Sequence, residues 1–317
     1  MRVFVAGASG YIGRHACQEL VHRGHEVVAF VRPSFEGELP GVLIRRGEVT
    51  DPQSLAKEGL RGEGFDAVVS CLATRTGGVK DAWAIEYQAQ LDVLASAQAS
   101  GVKQFVLLSA ICVQRPRLAF QKAKLAFEAA LVASGLTYSI VRPTAFFKSL
   151  AGQVERVQSG KPFMVLGSGE LTRCKPISER DLARYLADCL EDPGRQNAIL
   201  PIGGPGPAVS GLDQAEMMGR ALDRRVEVRR IPLALMKGIV GVLNLASKLF
   251  PSLEDKAEFA RIGRYYATES MLVWSDEQGG YSDDLTPEYG RDTLQAFYDR
   301  VVREGLKGQE LGEHSVF

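Results

Sequence analysis

The chain opens on four apolar residues, Val3-Phe4-Val5-Ala6, and then breaks at a glycine. Short apolar runs of the same kind return at residues 26–31, 42–45, 66–71, 104–109 and 137–141. Between them the apolar positions change to helical spacing, over 11–23, around Leu55, and over 83–99 and 119–133. A strand period that gives way repeatedly to a helical period predicts βαβ units. Such units cross over right-handedly and build a parallel sheet. The expected fold class is therefore α/β, a doubly wound parallel sheet. Ligands of such sheets sit beyond the carboxyl ends of the strands, so functional residues are expected just after each strand.

After Pro143 the pattern loosens. Short strands at 163–166 and 198–202 mix with helices at 179–190 and 213–222, and Gly203-Gly204-Pro205-Gly206-Pro207 reads as a loop. This divides the chain into a nucleotide-binding domain at 1–150 and a smaller C-terminal substrate lobe at 151–317, partly interleaved with the sheet. The apolar stretch 231–250 carries Lys237, Asn244 and Lys248 and two glycines, Gly238 and Gly241. It suits an amphipathic helix that touches a membrane surface or a greasy ligand, not a spanning one.

Composition narrows the function. Lys+Arg and Asp+Glu balance at 38 each, so no charge excess points to nucleic acid. The five cysteines, Cys17, Cys71, Cys112, Cys174 and Cys189, form no CxxC pair and have no histidine cluster beside them. A protein metal site and a disulfide framework are not expected. A strand follows Met1 at once, which leads us to expect no targeting leader on this chain and either a bacterial cytoplasmic setting or a mature form with its leader removed, with a peripheral membrane contact still open.

The chemistry begins at Gly7-Ala8-Ser9-Gly10-Tyr11-Ile12-Gly13, between a strand and a helix. The first glycine permits the tight turn, the second lets backbone approach a pyrophosphate, and the third lets helix and strand pack closely. The helix N-terminus then offers N–H groups and a positive dipole end to the phosphates. This is a Rossmann dinucleotide site. Arg32 ends the second strand, where an NAD site usually has an acid; a guanidinium suits the 2′-phosphate of NADP(H). Glu48 and Val49, after the third strand, are placed at the adenine. Cys71-Leu72-Ala73-Thr74, after the fourth, are placed beneath the cofactor.

The order of elements resembles the extended and atypical short-chain dehydrogenase/reductases. That resemblance implies a serine after the fifth strand and a Tyr-x-x-x-Lys on the next helix, with Tyr as general acid or base and Lys as its partner and ribose clamp. Here Ser109 and Lys124 fall in the serine and lysine positions, but Phe120 replaces the tyrosine. Phenylalanine donates no proton, so carbonyl reduction and sugar epimerisation are disfavoured. Reduction of an activated carbon–carbon double bond and a non-catalytic NADP-sensing role both remain open. Pro143, Thr144 and Phe146, after the sixth strand, complete the expected cofactor contacts.

Further segments are more specific. They are Arg142-Pro143-Thr144-Ala145-Phe146-Phe147-Lys148, Cys174-Lys175-Pro176-Ile177-Ser178, Tyr265-Tyr266-Ala267-Thr268-Glu269-Ser270 and Gly308-Gln309-Glu310-Leu311-Gly312. Together these are similar to the NADPH-dependent 8-vinyl reductase family of chlorophyll and bacteriochlorophyll synthesis. The resemblance implies NADPH as cofactor and a divinyl chlorophyllide or protochlorophyllide as substrate, whose magnesium belongs to the substrate. It also implies a wide apolar site. Phe120, Phe147, Tyr265 and Tyr266 are expected as its walls. Lys148, Lys175, Arg261 or Arg264 are expected to pair with a propionate, and Glu269 is expected at the substrate.

Overall fold

The computed structural model describes residues 1–74 and 77–306, so the 308–312 segment lies outside the described residues. The strands are β1 (Arg2–Ala6), β2 (Glu26–Val31), β3 (Leu43–Arg46), β4 (Ala67–Ser70), β5 (Gln104–Leu108), β6 (Thr137–Pro143), β7 (Phe163–Leu166), β8 (Arg173–Cys174), β9 (Ala198–Ile202), β10 (Val209–Ser210), β11 (Val228–Ile231), β12 (Val273–Ser275) and β13 (Gly280–Ser282). Seven of them form one sheet in the order β3-β2-β1-β4-β5-β6-β9. The pairings from β3 through β6 are all parallel. The order reverses between β1 and β4, and that switch point is where a doubly wound sheet opens a crevice for a ligand.

The chain forms two compact units. The first comprises Met1–Thr74, Lys80–Pro143 and Glu179–Leu200. The second holds the remaining described residues. Hydrophobic pattern alone puts residues 179–200 in the C-terminal lobe. Instead the helix Glu179–Glu191 packs on the helix Tyr11–His22, and the first residues of β9 belong with the same unit. The reason is amphipathicity. The helix Glu179–Glu191 buries Leu182, Ala183, Leu186 and Leu190 on one face, and Tyr11–His22 offers Ile12, Ala16 and Leu20 at helical spacing.

Strands β1 and β4 are apolar on both faces because helices cover both, as in any parallel sheet. Phe4 packs on Phe30 and Phe65, and Phe105 on Phe127, in one core under the helix Ala119–Val132. The segment expected as a plain helix over 83–99 runs as Val79–Ala82, Trp83–Ala89 and Gln90–Ala99, and its middle stretch is π-helical. Such wide turns re-aim side chains and recur at functional sites.

The second unit has its own core. Phe147, Phe163, Met218, Leu294, Phe297 and Tyr298 are all buried in it. Around them stand a parallel pair, β7 with β11, an antiparallel pair, β8 with β10, and the hairpin β12–β13.

Candidate functional site

The first unit brings the glycine loop onto the end of β4. Gly7 has φ +76°. A Cβ there would lie 2.6 Å from the carbonyl carbon and oxygen of Cys71 and 2.8 Å from the Leu72 nitrogen. A Cβ on Gly13 would lie 2.2 Å from the Gly7 oxygen. Neither position admits another residue without moving backbone. The Gly10 N–H donates to the Gly7 oxygen at 3.0 Å, and Gly10 caps the helix Tyr11–His22 without any side-chain cap. A helix N-terminus without a side-chain cap, at the end of β1, suits an anion. The cradle fits a dinucleotide's phosphates: space that a Cβ would fill, beside a helix dipole.

Arg32 is exposed just past β2, and its guanidinium pairs with no acid among the described residues. Glu48 is exposed, with its N–H bonded to Ser54 Oγ at 3.0 Å. Val49 is half-buried against the first core, and Leu72 is buried within it. Ala73 is exposed and Thr74 half-buried. Burial pushes the Cys71 thiol up to about 12, with the Lys124 ammonium pulling the other way. Cys71 is thus an inert neighbour that registers the Lys124 charge at the end of β4.

Lys124 and Ser109 are both buried and both already engaged. Lys124 Nζ lies 2.7 Å from Glu86 Oε2, and the other oxygen of that carboxylate accepts the Thr74 N–H at 2.9 Å. Ser109 Oγ donates to Glu128, and Arg142 clamps the same carboxylate. Phe120 is buried one turn before Lys124 on the helix Ala119–Val132. Two acids that were not among the expected site residues, Glu86 and Glu128, therefore hold the two side chains that were. Their signal is legible in hindsight. Each acid sits on the apolar stripe of its helix, Glu86 with Ala82, Ala89 and Val93, and Glu128 with Phe120, Ala123, Phe127 and Leu131. An acid on a buried stripe needs a partner.

In the second unit several expected contacts prove structural. Phe147 is 2% exposed and packs on Phe297 at 5.4 Å between centroids, so it builds the core instead of walling a ligand. Thr144 is buried, and its hydroxyl donates to the Lys175 carbonyl. Lys175 is not a propionate anchor. Its buried ammonium donates to the carbonyls of Asp283 and Thr286 and pairs with the carboxylates of Asp283 at 2.8 Å and Glu288 at 2.9 Å. Arg261 is tied to Glu258 and Asn244. Arg264 is exposed. Tyr265 is buried, and Tyr266, half-buried, meets it edge-on at 5.7 Å. Glu269 is buried and accepts the Tyr281 hydroxyl at 2.6 Å. Phe146 and Lys148 stay half-buried, and Phe146 bridges Ile177.

Among the described residues, no group of His, Cys, Asp and Glu could hold a metal ion. No helix among them is long and apolar enough to cross a membrane. The helix Leu233–Leu249 buries only Val240, while Leu235, Ile239, Val242, Leu245 and Leu249 are exposed.

A family model described as NAD(P)H-binding matches residues 7–193. The chain is 49% identical to the divinyl chlorophyllide a 8-vinyl-reductase, chloroplastic, of Oryza sativa subsp. indica, over 99% of this chain and 82% of that protein. It is 48% identical to the protein of the same name from Arabidopsis thaliana, over 99% and 79%. Among solved structures, a UDP-glucose 4-epimerase from Thermotoga maritima superposes with a TM-score of 0.70, at 17% identity, over 98% of this chain and 100% of that one. That likeness is one of fold alone.

Lys175 as a structural ammonium has a pH signature. Hydrogen bonds from Lys175 hold the Glu288 carboxyl below its usual range. Burial raises that of Asp283 most, but Lys175, the Ala208 N–H and the Arg173 charge together bring the net direction down. Carboxyls depressed in the folded state add stability above their unfolded range, near pH 4, and that stability fades as pH falls through it. Lys175→Met is expected to destabilise the protein by about 1–3 kcal/mol and to flatten this acid-side loss. Urea denaturation at pH 4 to 7 reads both. A variant as stable as the parent, with the same acid dependence, would contradict the assignment.

Proposed function

Because this chain belongs to the divinyl chlorophyllide a 8-vinyl-reductase family, we propose that it reduces the 8-vinyl group of a divinyl chlorophyllide or protochlorophyllide to ethyl, with NADPH as reductant. One observation carries the chemistry. At the helix position where a carbonyl reductase of this architecture needs a hydroxyl, the chain has Phe120, and the nearby Ser109 gives its only proton to Glu128. The lack of a hydroxyl at that position suits an alkene, which develops no oxyanion, better than a carbonyl.

When bound, NADPH would supply a hydride to the terminal vinyl carbon. The electron pair of the double bond would pass into the conjugated macrocycle, and the inner carbon would take its proton from water or from Tyr265, Tyr266, Glu269 or Lys148. The chain's own residues bind and orient. Gly7, Gly10 and Gly13 with the helix N-terminus hold the phosphates, Arg32 meets the 2′-phosphate, and Lys124 clamps the nicotinamide ribose. Tyr266 and Lys148 serve the macrocycle and its propionate. Holding the nicotinamide and the vinyl group in near-attack geometry is the main rate contribution.

The exposed stripe of the helix Leu233–Leu249 supports a further reading, that this face rests on an anionic lipid surface. Its only charged residues are Lys237 and Lys248, and basic flanks with an apolar stripe are the chemistry of interfacial helices.

The direct assay follows the blue shift of the Soret band when the protein meets a divinyl chlorophyllide. The shift is expected with NADPH and far weaker with NADH, and Arg32→Ala should erase most of that preference. No shift despite intact NADPH binding would overturn the proposed reaction; equal losses with both cofactors would overturn the role of Arg32. In flotation with vesicles containing phosphatidylglycerol, the protein is expected to rise with the lipid and Leu245→Asp to remain below. Parent protein left at the bottom would contradict the membrane reading.

A further inference from the structure

The Lys124 ammonium is a buried charge, and its direction is decided from outside its own helix. The helix Ala119–Val132 carries Lys124 inward on the same face as Phe120, Ala123 and Phe127, all of which are apolar. Nothing on that face stabilises an ammonium. The one acid near enough along the helix, Glu128 a turn further on, is committed to Arg142 and Ser109. The compensating charge is Glu86, 2% exposed, on the π-helical turn Trp83–Ala89.

Glu86 does more than neutralise. Its two oxygens take different partners: Oε2 meets Lys124 Nζ at 2.7 Å, and Oε1 accepts the Thr74 N–H at 2.9 Å. One carboxylate therefore ties the lysine to the loop that leaves β4, the same loop whose first residues lie against Gly7. A lysine has a flexible four-carbon stem and is a point charge, so its aim is not preset by its own geometry. A carboxylate fixed at its other oxygen by backbone supplies that aim.

We infer that Glu86 is the positioning residue that aims the Lys124 ammonium at the bound nicotinamide ribose and joins it to the turn beneath the cofactor. This rests on the reading of Lys124 as the ribose clamp. Glu86 does not touch the cofactor itself. It acts by holding one donor of Lys124 and leaving the others to the ribose hydroxyls, since an ammonium has three. It also places an opposite charge 2.7 Å from the buried ammonium.

The test is a double-mutant cycle on NADPH affinity, read by NADPH fluorescence, with thermal melting measured in parallel. Glu86→Gln and Lys124→Met are each expected to weaken NADPH binding roughly tenfold, the scale of one charge-assisted hydrogen bond. The double variant should be no weaker than Lys124→Met alone, because Glu86 acts only through the lysine. Glu86→Asp keeps the charge on a shorter stem and should fall between parent and Glu86→Gln; it also serves if the amide variant folds poorly. If Lys124→Met binds NADPH as the parent does, the ribose-clamp reading fails, and the inference with it. If Lys124→Met weakens binding while Glu86→Gln and Glu86→Asp lower only the melting temperature, the clamp stands and the role of Glu86 is overturned. Affinity losses that add in the double variant overturn it as well.

Discussion

The architecture turns on a place where side chains are forbidden. Where β1 ends, the backbone of Gly7 runs against the backbone that leaves β4, and the first turn of the following helix closes on Gly7 from the other side at Gly13. A single methyl group at either glycine would sit 2.6 Å or less from a carbonyl oxygen, far inside van der Waals contact. That contact fixes the helix N-terminus over the switch point of the sheet, and so fixes where a phosphate can be held. It also puts Cys71, and through the same loop Thr74, within reach of the lysine helix. The ion pair and the buried serine network lie downstream of that close approach.

The second organising feature is a pair of buried acids. Glu86 and Glu128 come from different helices, and they hold the buried side chains of Lys124 and Ser109. Unpaired, either acid would be a large cost in a core of this kind. Paired, they leave the site rich in fixed charge and poor in hydroxyl donors. That is a coherent environment for moving a hydride to an alkene, where no oxygen must be protonated.

Most of the sheet was legible in the chain because its strands are continuous apolar runs separated by glycine, and such runs have few alternative uses. The glycine cradle was legible for the same reason: backbone constraint at a strand end is a local property. What was not legible depended on distance. Residues 179–200 return to the first unit because two amphipathic faces match, and neither face announces its partner. Phe147 and Lys175 looked like ligand residues because aromatic and cationic chemistry is shared by sites and cores; the core around Phe297 and the acids Asp283 and Glu288, far along the chain, decided otherwise. The segment 83–99 reads as an ordinary helix, so its π-helical turn at Trp83–Ala89 and the inward aim of Glu86 were not legible.

In the proposed reaction the dinucleotide held at the switch point delivers its hydride to the terminal carbon of the vinyl group. The direct measurement is a single turnover with NADPH stereospecifically deuterated at C4 of the nicotinamide, using the deuterium position that is transferred, followed by NMR of the ethyl product. One deuterium is expected in the methyl group of the new ethyl and none in its methylene. Deuterium in the methylene, or an ethyl product that carries no label with either C4 epimer, would contradict it.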